Sequence, residues 1–152
     1  MLKDMATSFR FRFEKILDWY TKREEEAQKK LAELRAKYIE EENRLKFIEI
    51  EKEYGERKFL ENRNNINLGL VIRDYIERKR REIDLQKDIL RELEEKIIRQ
   101  RELLLYWEMK KKSMEKLKER DSLLFQLKLK RLENIILDEN GMVRYLKRYE
   151  IT

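Results

Sequence analysis

The chain of 152 residues contains no cysteine and no histidine. Without cysteine it cannot form a disulfide bond, so a reducing cytoplasm is the simpler expectation for its compartment. The two absences together exclude zinc sites built on cysteine or histidine, and they exclude nucleophile systems that pair serine or cysteine with histidine. The common small-enzyme active sites that depend on cysteine or histidine are therefore excluded.

Proline is also absent, and the only glycines are Gly55, Gly69 and Gly141. Inside a helix proline costs about 3 kcal/mol and glycine about 1 kcal/mol relative to alanine, so their scarcity predicts helix almost everywhere. Charged residues make up 46% of the chain, whereas ordinary globular domains have roughly 25%. Disorder is not the expectation, because 41% of the residues are hydrophobic and they recur at regular spacing.

Long apolar runs and ligand-binding loops are missing as well. No stretch approaches the roughly 18 apolar residues of a membrane-spanning helix, and the first residues do not read as a secretory signal. No glycine-rich phosphate-binding motif occurs. The acidic runs at residues 24–26 and 40–42 are expected to lie on solvated helix faces. We therefore expect a soluble intracellular protein without catalytic residues, metal or cofactor.

What the sequence does contain is two stripes of mostly apolar residues at alternating steps of four and three, with a Glu, Lys or Gln at a few of the positions. The first consists of Phe13, Leu17, Tyr20, Glu24, Ala27, Leu31, Leu34, Tyr38, Glu41, Leu45 and Ile48. The second consists of Ile72, Ile76, Lys79, Ile83, Gln86, Leu90, Leu93, Ile97, Gln100, Leu104 and Trp107. Heptad patterns sustained over this many repeats predict helices that pair along a coiled-coil seam.

Between the two stripes, residues 61–69 contain four asparagines and Gly69. Asparagine competes for backbone hydrogen bonds, and both residue types tolerate left-handed geometry, so this segment predicts a turn. The expected fold is all-α: a long two-helix antiparallel coiled coil whose second helix is longer than the first. We expect one domain over residues 1–152, with helix 1 at about 8–61, the turn at about 62–69 and helix 2 at about 70–149.

Folding back near residue 65 places residue i opposite about residue 131 − i, so that Phe13 lies near Lys118. Most residues after Asp121 then have no partner in helix 1, although apolar residues continue along one side of helix 2. These are Phe125, Leu129, Leu132, Ile136, Val143 and Leu146. We expect residues 121–152 to become ordered on binding a partner. Gly55 is a weaker candidate for a helix break, and we interpret it as a glycine inside helix 1 or a point where that helix begins to fray. The pair Asn140-Gly141 is a candidate break in helix 2.

The net charge of +6 comes mainly from helix 2, where residues 62–120 carry 17 basic and 12 acidic side chains. Basic runs lie at residues 78–81 and 110–112, each with acidic neighbours. Three interpretations stay open: a solvated face, docking on an acidic protein surface, or binding of nucleic acid. Among the aromatic residues, Phe11 and Tyr75 are candidate partner contacts, because both fall off the predicted seam near an end of the helical pair.

Several segments together carry a family likeness. Residues 11–18 read Phe-Arg-Phe-Glu-Lys-Ile-Leu-Asp, and the pairs Glu26-Ala27 and Leu31-Ala32 follow. Further segments are Leu70 to Ile76 with the later Gln86, Trp107, Lys116-Leu117, Leu137-Asp138-Glu139 and Met142 to Tyr145. The chain resembles the flagellar export protein FliJ family, whose members open with Phe-x-Phe and a Leu-Asp pair and continue as a long helix, an Asn- and Gly-rich turn and a second helix.

The resemblance implies a cytoplasmic component of the flagellar type III export apparatus, located at the inner face of the cell membrane through its partners. Those partners would be the hexameric export ATPase FliI, the export gate protein FlhA and substrate chaperones, with no small-molecule substrate. By analogy with rotary stalks, the ATPase side would be formed by Phe11, Phe13, Met142, Arg144, Tyr145 and Tyr149. The gate or chaperone side would be formed by Ile72, Tyr75, Ile76 and Arg80.

Two alternatives come from the residues alone. One is a nucleic-acid-associated coiled coil that uses the basic runs of helix 2. The other is a general scaffold whose helices pair in parallel between two chains. The distance between residues near 13 and 118 separates the second alternative from a hairpin, because those residues are close within one chain only in the hairpin.

Overall fold

The computed structural model describes residues 8–150 of the chain. It contains two helices, α1 at Glu14–Glu61 and α2 at Ile66–Glu150, and no strand within residues 8–150. The helices pack against each other in opposite directions, and α2 is the longer. The predicted fold class, a two-helix antiparallel coiled coil, is confirmed.

The chain divides into two compact units. We call the residues up to Arg23 together with those from Trp107 onward the terminal unit, and residues 24–106 the hairpin unit.

In the hairpin unit, the core is the predicted seam. Every position of the two stripes that falls in this unit is buried or half-buried. The most buried apolar side chains are Ala27, Leu31, Ile76, Ile83, Leu90 and Leu93. The stripes therefore predict correctly which face of each helix is covered, because a supercoiled pair keeps the same seven-residue repeat facing its partner.

Two buried glutamines cross the seam of the hairpin unit. The side-chain amide of Gln86 donates to the backbone carbonyl of Glu41 at 2.9 Å and also to the Glu41 carboxylate. The amide of Gln100 donates to the carbonyl of Ala27 at 3.3 Å. Both donors and both acceptors are two heptads apart, so the two bonds define a single antiparallel register. These pairs, and the hydrogen bond from Tyr38 to Glu94, lie within about one helical turn of the predicted register.

The turn of the hairpin is shorter than predicted. It comprises residues 62–65, since α1 ends at Glu61 and α2 begins at Ile66 rather than near residue 70. Asn62 satisfies the end of α1, its side-chain amide donating to the carbonyl of Lys58 at 2.9 Å. Asn65 starts α2 as its N-cap, its side-chain oxygen accepting from the amide of Leu68 at 3.2 Å. Gly69 therefore lies inside the helix.

In the terminal unit, the helices pair where the register requires. Lys118 lies 3.0 Å from the carboxylate of Glu14. This confirms the predicted proximity of residues near 13 and 118 within one chain, and it contradicts the alternative of two chains pairing in parallel. The helix α2 continues without interruption through Asn140 and Gly141 to Glu150, so the predicted break at this pair is wrong. One glycine inside a helix costs only about 1 kcal/mol relative to alanine, and the helix extends without interruption on both sides of it.

The start of α1 also differs from the prediction. The helix begins at Glu14 rather than near residue 8, and residues 8–11 precede it in irregular structure. In a helix Phe11 and Phe13 would point about 200° apart, so they could not both face α2. The irregular segment allows Phe11 to be buried and the ring of Phe9 to reach Phe125, at 5.7 Å between centroids. Phe125 is therefore covered in part, although it was expected to lack a partner.

Candidate partner-binding surfaces

The aromatic residues before α1 form a packed base for the terminal unit. Phe11 is only 7% exposed, and its ring meets that of Phe13 edge to face at 5.9 Å. The guanidinium of Arg12 lies 4.5 Å from the centroid of Phe13. The prediction that Phe11 points away from the core is wrong, because this segment is not helical. Whether Phe11 or Phe13 contacts a partner stays a prediction.

The last part of α2 is the most exposed part of the terminal unit. None of residues 130–150 is even half-buried, although the segment retains its apolar stripe. Its exposed apolar side chains are Leu132, Ile135, Ile136, Leu137, Met142, Val143, Tyr145, Leu146 and Tyr149. A helix face of this composition is ordinarily covered by another element or a partner. We call residues 130–150 the terminal surface.

Four of the predicted site residues lie on the terminal surface. Tyr145 is 60% exposed, and its ring lies 4.9 Å from that of Tyr149. A hydrogen bond with Tyr149 raises the pKa of Tyr145 above its usual value. Met142 and Arg144 are exposed on adjoining turns. A partner would therefore meet an aromatic pair flanked by basic residues, among them Arg144 and Arg148.

The structure does not bring all six residues predicted for the ATPase side together. Phe9, beside Phe11 and Phe13, lies against Phe125, and Met142 follows 17 residues later along the same helix. That separation corresponds to about 26 Å. The predicted site is therefore two patches: a largely buried aromatic base at Phe11 and Phe13, and the exposed terminal surface.

Sequence reasoning missed an aromatic cluster in the terminal unit. Trp19 meets Trp107 at 5.4 Å with perpendicular rings, and Tyr20 lies 6.0 Å from Trp107. Arg23 lies 5.1 Å from the ring of Trp19, which remains 47% exposed. Tyr20 and Trp107 were predicted as seam residues, and Trp19 is the position directly before Tyr20. An exposed tryptophan braced by a second one is typical of residues that dominate binding energy at interfaces.

In the hairpin unit, the four residues predicted for the gate or chaperone side differ in accessibility. Ile76 is buried in the seam, Ile72 and Tyr75 are half-buried, and Arg80 is exposed. Tyr75 lies directly on Gly55, where an added Cβ atom would be 3.0 Å from Cδ1 of the ring. Gly55 is therefore a point of close helix contact inside α1, which agrees with its interpretation as an internal helix glycine and not with fraying. A partner could therefore reach Ile72, Tyr75 and Arg80, whereas Ile76 is buried.

A shallow cleft runs beside these residues near the turn. It is lined by Glu56, Phe59, Leu60, Arg73, Ile76, Glu77 and Arg80. Its walls combine apolar side chains with both signs of charge, which suits a protein surface better than a small molecule.

The basic run at residues 78–81 is largely engaged within the chain. Lys79 forms ion pairs with Glu51 and Glu82, and Arg80 lies 3.4 Å from Glu77. The hydrogen bond with Glu51 is the main reason that the pKa of Lys79 is raised. The side chains of Arg78 and Lys79 also flank the ring of Tyr75. These pairings reduce the charge available for phosphates and so weaken the nucleic-acid interpretation.

Within residues 8–150, no group of acidic side chains is arranged to hold a metal ion. Over the same range, neither helix carries an apolar stretch that could cross a lipid bilayer.

Comparison with known proteins gives one match. A family model described as the flagellar FliJ protein matches residues 9–150, which is almost the whole chain. No curated protein and no solved structure matches the chain.

Proposed function

The chain belongs to the flagellar FliJ family, and from that premise we propose that it is a stalk that binds and stimulates the ATPase ring of the flagellar export apparatus. Membership in the family makes it a component of that apparatus. The contact with the ATPase ring is our proposal beyond membership. The observation that carries it is the terminal surface, where α2 continues past its pairing with α1 and exposes an apolar stripe. Binding inside a ring would remove that stripe from water, and this is the main favourable term in protein association.

The proposed contact with the ATPase, FliI, has an exposed and a buried part. The exposed part comprises Met142, Arg144, Tyr145 and Tyr149, where the tyrosine pair supplies aromatic area and the arginine supplies charge. Aromatic and arginine side chains are enriched among the residues that carry binding energy. Phe11 and Phe13 contribute indirectly, as the packed aromatic pair at the start of α1. The chain itself hydrolyses no ATP in this proposal.

The second proposed contact is with the export gate, FlhA, and with substrate chaperones, and it lies in the hairpin unit. Ile72, Tyr75 and Arg80 are its accessible or half-buried members, whereas Ile76 is buried in the seam. Gly55 helps because it has no side chain, so the ring of Tyr75 can approach α1 closely at this point. These contacts would keep the protein at the inner face of the cell membrane through its partners.

The test of the ATPase contact is co-purification of the full chain with FliI at low salt. We expect the unaltered chain to be retained and the variant Tyr145→Ala/Tyr149→Ala to be retained at least about tenfold less, as is usual when residues central to an interface are truncated. Tyr54→Ala is the matched control, because Tyr54 is similarly exposed at 57% but lies in the hairpin unit. No retention of the unaltered chain would contradict the proposal, and equal loss in the control would contradict the assignment of the surface.

A further inference from the structure

The turn of the hairpin unit carries an unusual number of exposed apolar side chains. Six lie within residues 59–71 and belong to the ends of both helices: Phe59, Leu60, Ile66, Leu68, Leu70 and Val71. Ile66 is 79% and Val71 is 65% exposed. We call residues 57–73 the tip. Contiguous exposed apolar side chains of this kind mark a surface that contacts something other than water.

These side chains do not form a stripe. At 100° per residue, Leu70 lies about 40°, Val71 about 140° and Leu68 about 200° around the axis of α2 from Ile66. Leu60 adds a further exposed side chain from the end of α1. A groove in a partner protein covers one side of a helix, and its ligands carry their anchors along one face. Side chains that point outward on all sides of the hairpin end instead suit a medium that can contact every side at once.

The tip is also where the positive charge of the chain is concentrated. The tip contains four basic side chains and one acidic side chain, a net charge of +3, which is half of the +6 for all 152 residues. Lys58 is paired with Glu61. Arg63 and Arg73 are exposed among the apolar side chains. Apolar side chains interspersed with arginine are the composition that binds the interface of an anionic membrane.

Several polar groups at the turn already have hydrogen-bond partners within the chain. The side chain of Asn62 is bonded to the carbonyl of Lys58, and the side-chain oxygen of Asn65 accepts from the amide of Leu68. The amides of Asn65 and Gly69 are bonded to the carbonyls of Asn62 and Asn65. Since these groups already have partners within the chain, less hydrogen bonding to water is lost when the tip leaves bulk solvent.

We propose that the tip binds the surface of an anionic phospholipid bilayer. In this arrangement Leu60, Ile66, Leu70 and Val71 enter the region between headgroups and acyl chains, and Arg63 and Arg73 lie at the lipid phosphates. The helices remain outside the bilayer core. This contact is additional to those with the ATPase and the gate, and it holds whether or not those proposals are correct.

The experiment is co-sedimentation of the full chain with lipid vesicles of two compositions. One is phosphatidylcholine alone, and the other contains about one-third phosphatidylglycerol to give a negative surface. We expect binding to the anionic vesicles, little binding to the neutral ones, and release as the salt concentration is raised from about 0.1 M to about 0.5 M. No binding to the anionic vesicles, or equal binding to both compositions, would overturn the proposal.

Two double variants test which residues bind. Arg63→Glu/Arg73→Glu should weaken binding by about 25-fold or more, because each basic side chain near an anionic surface contributes roughly fivefold. Ile66→Ser/Val71→Ser should weaken it by at least about tenfold through loss of the apolar insertion. The matched controls are Arg91→Glu/Arg99→Glu and Leu85→Ser/Ile98→Ser, which alter exposed residues of the same unit away from the tip. Circular dichroism at 222 nm checks that each variant is folded.

The remaining outcomes also decide the matter. If the tip variants bind anionic vesicles as well as the unaltered chain does, the lipid contact is elsewhere and the proposal is wrong. If they leave vesicle binding unchanged but abolish binding to an acidic polypeptide such as polyglutamate, the tip is a docking surface for acidic protein and the lipid proposal falls. Loss of vesicle binding in the tip variants alone supports it.

Discussion

Replacing Gly55 with alanine tests whether close packing of Tyr75 on α1 determines how the helices meet. All three glycines lie inside helices, and none has a positive φ. At Gly55 an added Cβ would lie 3.0 Å from Cδ1 of Tyr75 and 3.2 Å from Cγ1 of Ile76. At Gly69 the nearest atom, in the ring of Phe59, is 3.8 Å away, which is an ordinary contact.

The expected free-energy changes have opposite signs at the two positions. Alanine gains about 1 kcal/mol over glycine inside a helix, so Gly69→Ala should stabilise the fold by up to that amount. At Gly55 the same gain is offset by crowding in a packed seam, which costs about 1–3 kcal/mol. Gly55→Ala should therefore lower the free energy of unfolding by about 0–2 kcal/mol. Shortening the ring side chain in Tyr75→Ala removes part of the crowding, and in that background Gly55→Ala should be less destabilising.

The assay is urea unfolding of the full chain followed by circular dichroism at 222 nm, with both single variants and the double variant. The difference between Gly55→Ala and Gly69→Ala is the informative quantity, since both share the helix-propensity term. If Gly55→Ala stabilises the protein as much as Gly69→Ala does, the contact between Tyr75 and α1 does not hold the helices at this point, and the reasoning is refuted.

Three further predictions concern the seam of the hairpin unit. The double variant Gln86→Leu/Gln100→Leu should unfold at an equal or higher urea concentration but lose its single register. With spin labels on cysteines introduced at positions 38 and 94, that loss would appear as a broader distribution of distances between the labels. An unchanged distribution would show that the apolar residues alone set the register. Leu93→Ala should lower the free energy of unfolding in urea by about 2–5 kcal/mol. Leu137→Ala, on the terminal surface, should change it by less than about 0.5 kcal/mol, and equal effects would contradict the assigned core. The pKa of Lys79 is raised above 10.5, chiefly by its hydrogen bond to Glu51, so its stabilising effect is complete below pH 10.5 and lost as pH rises through the folded-state pKa. Lys79→Met should therefore reduce the loss of stability above that pH in a series of urea titrations, and an unchanged loss would contradict the linkage.

The seam was predictable from the sequence because a coiled coil repeats one local rule. Apolar side chains at steps of four and three must share a face, and each stripe position proved buried or half-buried. The antiparallel register followed from the position of the turn, and the ion pair between Glu14 and Lys118 confirms it. In these respects local pattern and tertiary contact agree.

The differences lie where one residue type serves two structural roles. Asn65 can end a helix or cap the start of one, and here it caps α2, which therefore begins before Gly69 rather than after it. Phe11 belongs to an irregular segment whose conformation depends on contact with α2, so a helical periodicity gave the wrong direction for its side chain. Trp19 is exposed beside the seam, and only the position of Trp107 on the other helix reveals the cluster.

Partner-binding residues were the least predictable part of the chain. The exposed stripe at residues 130–150 follows from the unequal helix lengths, because the shorter helix cannot cover the end of the longer one. Which of its side chains meet a partner depends on the shape and charge of that partner, and neither is encoded in this sequence. The same holds for Tyr75 and Arg80 in the hairpin unit, because their contacts also depend on a partner that this sequence does not encode.

The measurement that tests the proposed stalk function most directly is ATP hydrolysis by the export ATPase with and without the chain. We expect no hydrolysis by the chain alone and a rate with the ATPase that rises with added chain until it saturates. The variant Tyr145→Ala/Tyr149→Ala should need at least about tenfold more protein to reach the same rate, whereas Tyr54→Ala should behave like the unaltered chain. A hydrolysis rate that does not change at any concentration of the chain would contradict the account.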